Sequence, residues 1–234
     1  MKRIDYTDAY FVLDFDRCIG NTDKAHEVLW RVMEAETGIP ANELRMAKYA
    51  MDAEGYSFDT VEFVAKELLH RASSKTWQRI RQIYVATAKT EDLLEPGAAR
   101  LLDVLDERRI PYGILTFGTE AWQLTKLEAA GLVDRGIPFE ITQIEHKGEV
   151  LSGWKREAGF AIPPAMVRGV QPLYVRNIVF LDDKPRSFMA LPEGVHGICV
   201  RPVAYPPRIS QQGPLPAGVD EVEGIQGAIE LLRL

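Results

Sequence analysis

Hydrophobic positions along this chain follow two different periods. Tyr10-Phe11-Val12-Leu13 is an unbroken apolar run that stops at Asp14-Phe15-Asp16. A short run without alternation predicts a strand buried on both faces of a parallel sheet. From Asp23 to about Lys89 the period becomes helical. Ala25, Val28, Leu29 and Val32 fall at i, i+3, i+4 and i+7, Thr22 or Asp23 is placed to cap them, and Gly38-Ile39-Pro40 closes the segment. Leu44–Met51, Phe58–Leu69 (opened by Ser57 or Asp59) and Trp77–Ala86 predict three more helices. No strand-like run interrupts them, so the stretch reads as a four-helix insertion. Trp30, Met33, Tyr49, Met51, Phe58 and Phe63 are its expected core.

Strand and helix then alternate. Glu95-Pro96-Gly97 opens a helix reaching about Arg108, with Leu101, Leu102 and Leu105 as its stripe. Tyr112–Thr116 predicts a strand, and Glu120–Ala130 a helix closed by Gly131. Phe139–Thr142, Asn177–Leu181 and Val195–Val200 predict further strands, Pro202–Pro216 a surface loop and Val222–Leu232 a closing helix. Such alternation predicts an α/β fold with a doubly wound parallel sheet.

Composition narrows the function. The chain has 234 residues, 46% of them hydrophobic, enough for a sizeable core. Its net charge of −6 argues against a dedicated nucleic-acid binder, which needs clustered cations. Cys18 and Cys199 are the only cysteines, too few for a disulfide framework, and the four histidines show no pair at helical ligand spacing, so a zinc enzyme is not expected. No apolar stretch approaches a membrane span, and no signal-peptide apolar region follows Met1. A cytoplasmic protein, monomer or homodimer, without nucleic-acid or membrane binding is expected.

The candidate chemistry stands at strand ends. The first strand runs into Asp14 and Asp16, the Tyr112 strand into Thr116, and the Asn177 strand into Asp182 and Asp183. In open α/β sheets the ligand crevice lies outside the carboxyl ends of the strands. Carboxylates gathered there would repel one another unless a cation sat among them, and a hard divalent ion such as Mg²⁺ suits oxygen ligands. An isolated Asp-x-Asp is ordinary turn chemistry; the order of the groups, each after an apolar strand, is what points to catalysis.

These segments resemble the haloacid dehalogenase-like (HAD) superfamily. Val12-Leu13-Asp14-Phe15-Asp16 is similar to its first motif, Ile114-Leu115-Thr116-Phe117-Gly118-Thr119 to its second, and Ile178-Val179-Phe180-Leu181-Asp182-Asp183 to its fourth; Leu94-Glu95-Pro96-Gly97 resembles the return from cap to core. Lys147 matches the lysine of the third motif, with Lys155 as the neighbouring alternative. The resemblance implies a Rossmann-like core over residues 1–22 and 93–234 and a C1-type helical cap over 23–92. It implies a Mg²⁺-dependent phosphatase acting on a small phosphorylated metabolite. Asp14 would be the nucleophile, Asp16 the general acid and base, and Lys147 the charge-neutralising cation. Thr116, with the backbone of Phe117 and Gly118, would bind the phosphoryl group, and Asp14, Asp16, Asp182 and Asp183 would serve the metal. Arg17, where family members often carry glycine, and Gly148, where a proline often follows the lysine, depart from the pattern. Other activities on the same fold are a phosphotransferase or phosphomutase, and a non-catalytic metabolite-binding or protein-interaction module.

Overall fold

The computed structural model describes residues 8–53, 59–71, 74–203 and 211–234. In chain order the elements are β1 (Ala9–Leu13), α1 (Thr22–Thr37), α2 (Ala41–Ala53), α3 (Thr60–His70), α4 (Trp77–Ala88), α5 (Ala98–Glu107), β2 (Tyr112–Phe117), α6 (Glu120–Ala129) and β3 (Phe139–Thr142). After them come α7 (Lys147–Trp154), β4 (Lys155–Arg156), β5 (Gly159–Ile162), β6 (Leu173–Val175), β7 (Asn177–Asp182), β8 (Val195–Arg201), β9 (Asp220–Glu223) and α8 (Gly224–Leu232). They form two compact units: residues 1–21, 94–117 and 136–234, and residues 22–93 with 118–135.

The first unit is built on a six-stranded sheet ordered β3-β2-β1-β7-β8-β9, with every pair parallel. Its strands follow the doubly wound order 3-2-1-4-5-6, and the order reverses between β1 and β7. All five residues of β1 are buried, as its unalternated pattern predicts. Tyr10, Val12, Leu115, Ile178 and Phe180 join Leu151, Trp154, Phe160 and Phe188 in one apolar cluster. A small antiparallel sheet, β4-β5-β6, intervenes before β7. The closing helix begins at Gly224, two residues later than the pattern predicts. Val222 belongs instead to β9, whose Asp220–Glu223 pairs with Ile198–Arg201 at the sheet edge.

The second unit is helical. Asp59 caps α3, its carboxylate accepting from the Val61 and Glu62 backbone N–H groups at 3.0 Å each. Leu29, Trp30, Met33, Val64, Ile80, Tyr84 and Trp122 share its core. Trp122 and Ala129 come from α6, so the helix after β2 packs with the helices of the insertion. Arg81 of α4 fastens it further, donating to Thr125 Oγ1 at 2.9 Å and pairing with Glu128. His26 lies with its ring centroid 5.6 Å from that of Trp30 and 5.2 Å from that of Trp122, a core histidine. Tyr49, expected in this core, is 54% exposed, because the buried stripe of α2 runs through Ala41, Leu44 and Lys48 and misses it. Ser57, Phe58 and the side chain of Met51 lie outside the described residues. No described helix is long and apolar enough to cross a membrane.

Candidate active site

Strand register assembles the site. Leu13 of β1 lies opposite Leu181 of β7, and the Asp14 N–H donates to the Leu181 carbonyl at 2.9 Å. The ladder thus runs one step past the strand and brings Asp14 beside Asp182, at the point where the strand order reverses. Leu13 also lies opposite Ile114, which puts Thr116 at the end of the neighbouring strand, fully buried. Phe117 ends β2, and Gly118, with φ of +143°, begins the second unit.

Beyond Asp14 the chain folds back at once. The Cys18 and Gly20 N–H groups donate to the Phe15 carbonyl at 3.3 and 2.7 Å, and the Arg17 N–H to the Gly20 carbonyl at 2.9 Å. Arg17 takes a left-handed φ of +59°, uncommon for a residue with a Cβ. Asp16 stands half-buried inside this turn, close enough for its charge to be felt at Asp14.

Lys147 opens α7 and is buried. Its ammonium donates to Asp14 Oδ1 and, at 2.6 Å, to Asp182 Oδ2. Gly148 follows because a Cβ there would overlap the Met189 carbonyl oxygen. Lys155 is engaged elsewhere, donating to the Glu193 carbonyl at 2.6 Å with its ammonium 4.7 Å from the Phe160 ring centroid. Asp182 accepts a further bond from the Lys184 backbone N–H at 2.8 Å. Asp183 is fully buried; its Oδ2 accepts from Gln211 at 2.6 Å, and its Oδ1 has no hydrogen-bond partner among the described residues.

Electrostatics follow from burial. Loss of solvent pushes the Asp14 carboxyl well above the ordinary carboxylate range, with Lys147 pulling it back and Asp182 and Asp183 adding to the rise. Burial pushes Asp183 up to about 6. For Lys147 burial opposes the charge, but Asp14 and Asp182 hold its ammonium above the ordinary lysine value. Burial also raises the Cys18 thiol, leaving an inert packed sulfur.

Carboxylate oxygens of Asp14, Asp182 and Asp183 lie within 4.8 Å of one another. Ionised together, the three carboxyl groups against one ammonium would carry a net charge of 1 − 3 = −2, which one divalent cation would neutralise. The unpartnered Asp183 Oδ1 and the all-oxygen donor set fit a hard dication such as Mg²⁺. The structure therefore draws Asp14, Lys147, Asp182 and Asp183 together, with Asp16 in the turn that follows β1 and Thr116 near the end of β2. Sequence reasoning missed Gln211. It falls in a stretch read as a surface loop, yet it is 1% exposed and bonded to Asp183. Nothing in its local sequence marks it.

No protein-family model and no curated protein matches the chain. Solved structures do. A protein of Burkholderia xenovorans LB400 designated a haloacid dehalogenase-like hydrolase is 22% identical, covers 96% of both chains and superposes with a TM-score of 0.62. One of Thermotoga maritima designated a beta-phosphoglucomutase is 15% identical over 97% of this chain and 99% of its own, with a TM-score of 0.56. YfnB of Bacillus subtilis, designated a HAD-hydrolase and solved bound to magnesium, is 16% identical over 97% and 99%, with a TM-score of 0.54. At these identities the likeness is one of fold, and it spans both units.

Proposed function

We propose that this chain, which has the haloacid dehalogenase-like fold, is a Mg²⁺-dependent phosphatase of a small phosphorylated metabolite. The observation that carries the reading is the buried cluster of Asp14, Asp182 and Asp183 around Lys147, at the place where the strand order reverses. A cluster left two charges short of neutrality in a desolvated crevice is costly to fold, and activity at a bound dication gives a reason for keeping it.

Asp14, Asp182 and the Asp16 backbone carbonyl would hold the cation, with Asp183 orienting that set. Once bound, the cation supplies charge neutralisation for the phosphoryl oxygens. Thr116 donates its hydroxyl hydrogen to a phosphoryl oxygen, joined by the Phe117 and Gly118 backbone N–H groups. An Asp14 oxygen attacks phosphorus; the new O–P bond forms as the ester P–O bond breaks, and Asp16 gives its proton to the departing alkoxide. Water then attacks phosphorus and loses a proton to Asp16, the Asp14 O–P bond breaks, and both carboxyl groups are restored. Lys147 offsets the negative charge that accumulates between Asp14 and the transferred group. Residues 23–92 would be the C1-type cap that the resemblance implies.

The test is hydrolysis of an aryl phosphate with and without Mg²⁺, in wild type and Asp14→Asn. Turnover that requires Mg²⁺ and falls by about 10⁴-fold or more on loss of the nucleophile is expected. Turnover undiminished in Asp14→Asn would refute the assignment. No turnover across a panel of phosphorylated metabolites, despite measurable Mg²⁺ binding, would favour a phosphotransferase or a non-catalytic module.

A further inference from the structure

We infer that Gln211 is a positioning residue of this site, tying the turn that carries Asp16 to the strand end that carries Asp182 and Asp183. The Arg17 Nη1 donates to Gln211 Oε1 at 2.8 Å, and Gln211 Nε2 donates to Asp183 Oδ2 at 2.6 Å. The orientation of the amide is dictated by its neighbours. A guanidinium only donates and a carboxylate only accepts, so the reverse orientation would set donor against donor and acceptor against acceptor. The Gln211 backbone carbonyl is held as well, accepting from Arg201 Nη1, while Arg201 Nε donates to Glu221 across the β8–β9 pair. Two charge-assisted bonds to one buried side chain and a third to its carbonyl make a rigid strut.

Its ends matter most. Arg17 directly follows Asp16, and Asp183 directly follows Asp182. Arg17 is 8% exposed and holds a left-handed φ that costs about 1 kcal/mol or more without glycine, so the turn needs an anchor. By occupying Asp183 Oδ2, Gln211 also decides which oxygen of that carboxylate is left without a partner among the described residues: Oδ1. One amide therefore sets the rotation of a cluster carboxylate and the position of the turn bearing the proposed general acid. Outer bonds of this kind orient the groups that hold a metal, and losing one typically weakens binding about 10–100-fold.

The catalytic consequence rests on the phosphatase reading, but the strut can be tested without turnover. Mg²⁺ affinity would be measured by calorimetry on the full chain, without substrate, for wild type, Gln211→Met, Arg17→Met and the double variant, with thermal unfolding in EDTA alongside. Gln211→Met is expected to weaken Mg²⁺ binding by about 10-fold or more. Arg17→Met, which leaves the Asp183 bond in place and removes only the Arg17 end of the strut, should weaken it less. The double variant should bind like Gln211→Met, because the two side chains act in series. Unchanged Mg²⁺ affinity in folded Gln211→Met, with only a lower Tm, would make Gln211 a loop anchor and overturn the inference. If Gln211→Met fails to fold, wild-type affinity in Arg17→Met overturns it equally. A wild-type chain that binds no Mg²⁺ would instead remove the phosphatase reading itself.

Discussion

Replacing Lys147 with methionine keeps most of the side-chain volume and removes the ammonium that touches both Asp14 and Asp182. The cluster would then hold three buried carboxylates without that counter-charge. Its cheapest escape is proton uptake, and forcing a carboxyl of ordinary pKa near 4 to bind a proton at pH 7 costs about 4 kcal/mol, at about 1.4 kcal/mol per pH unit. That agrees with the roughly 3–5 kcal/mol lost when one partner of a buried ion pair is removed. For a chain of 234 residues the loss corresponds to a fall in Tm of about 6–20 °C in EDTA. Saturating Mg²⁺ should narrow the gap, because a dication gains more in the more negative cluster. Asp14→Asn combined with Lys147→Met, which removes one charge of each sign, should recover part of the loss. Thermal unfolding of wild type, Lys147→Met, Asp14→Asn and the double variant with EDTA or Mg²⁺ is the assay. A Lys147→Met protein within about 1 kcal/mol of wild type in EDTA would mean that water reaches the cluster, and the charge argument for a metal there would fail.

Two further predictions concern the scaffold. In β2, a Cβ at Gly113 would overlap the Tyr10 hydroxyl, which donates to the Met166 carbonyl, so Gly113→Ala should cost about 1–3 kcal/mol. Tyr10→Phe opens that space, so the double variant should fall short of the sum by at least about 0.5 kcal/mol in urea unfolding; additivity would refute the contact. In the helical unit, Arg45 donates to both Glu27 oxygens, at 2.9 and 2.6 Å, and this pairing lowers the Glu27 pKa below its ordinary value. A folded-state pKa below the unfolded one means stabilisation that is present at neutral pH and lost as the pH falls through the folded value. NMR titration of Glu27 should move upward in Arg45→Met, and an unchanged midpoint would show that the pair is not formed in solution.

What was legible in the sequence, and what was not, follows from how far each signal reaches along the chain. β1, β2 and β7 are readable because strands buried on both faces need unbroken apolar runs, and the groups at their ends stand beside those runs: Asp14, Thr116 and Asp182. β9 escapes because Asp220-Glu221-Val222-Glu223 lies at the sheet edge, where none of its residues is fully buried and no apolar run is required. The stripe of α6 announces a buried face but does not say whether a sheet or a helical bundle will cover it; the rings around Trp122 supply the answer only in three dimensions.

Buried charges make the same point more sharply. Lys147 and Lys155 flank one short helix and are equivalent as letters, yet one ammonium meets two carboxylates and the other a backbone carbonyl. Gln211 is the extreme case, because its partners Arg17 and Asp183 lie 194 and 28 residues away. A motif records groups whose neighbours in space are also neighbours in sequence. The side chains that orient those groups are chosen by reach and hydrogen-bond direction alone, so they can come from any loop that passes within bonding distance. A departure such as Arg17 is therefore explained by the residue it holds rather than by those beside it in the chain, and other departures in motif turns of this fold should be read the same way, starting from the buried amide or carboxylate their new side chain reaches.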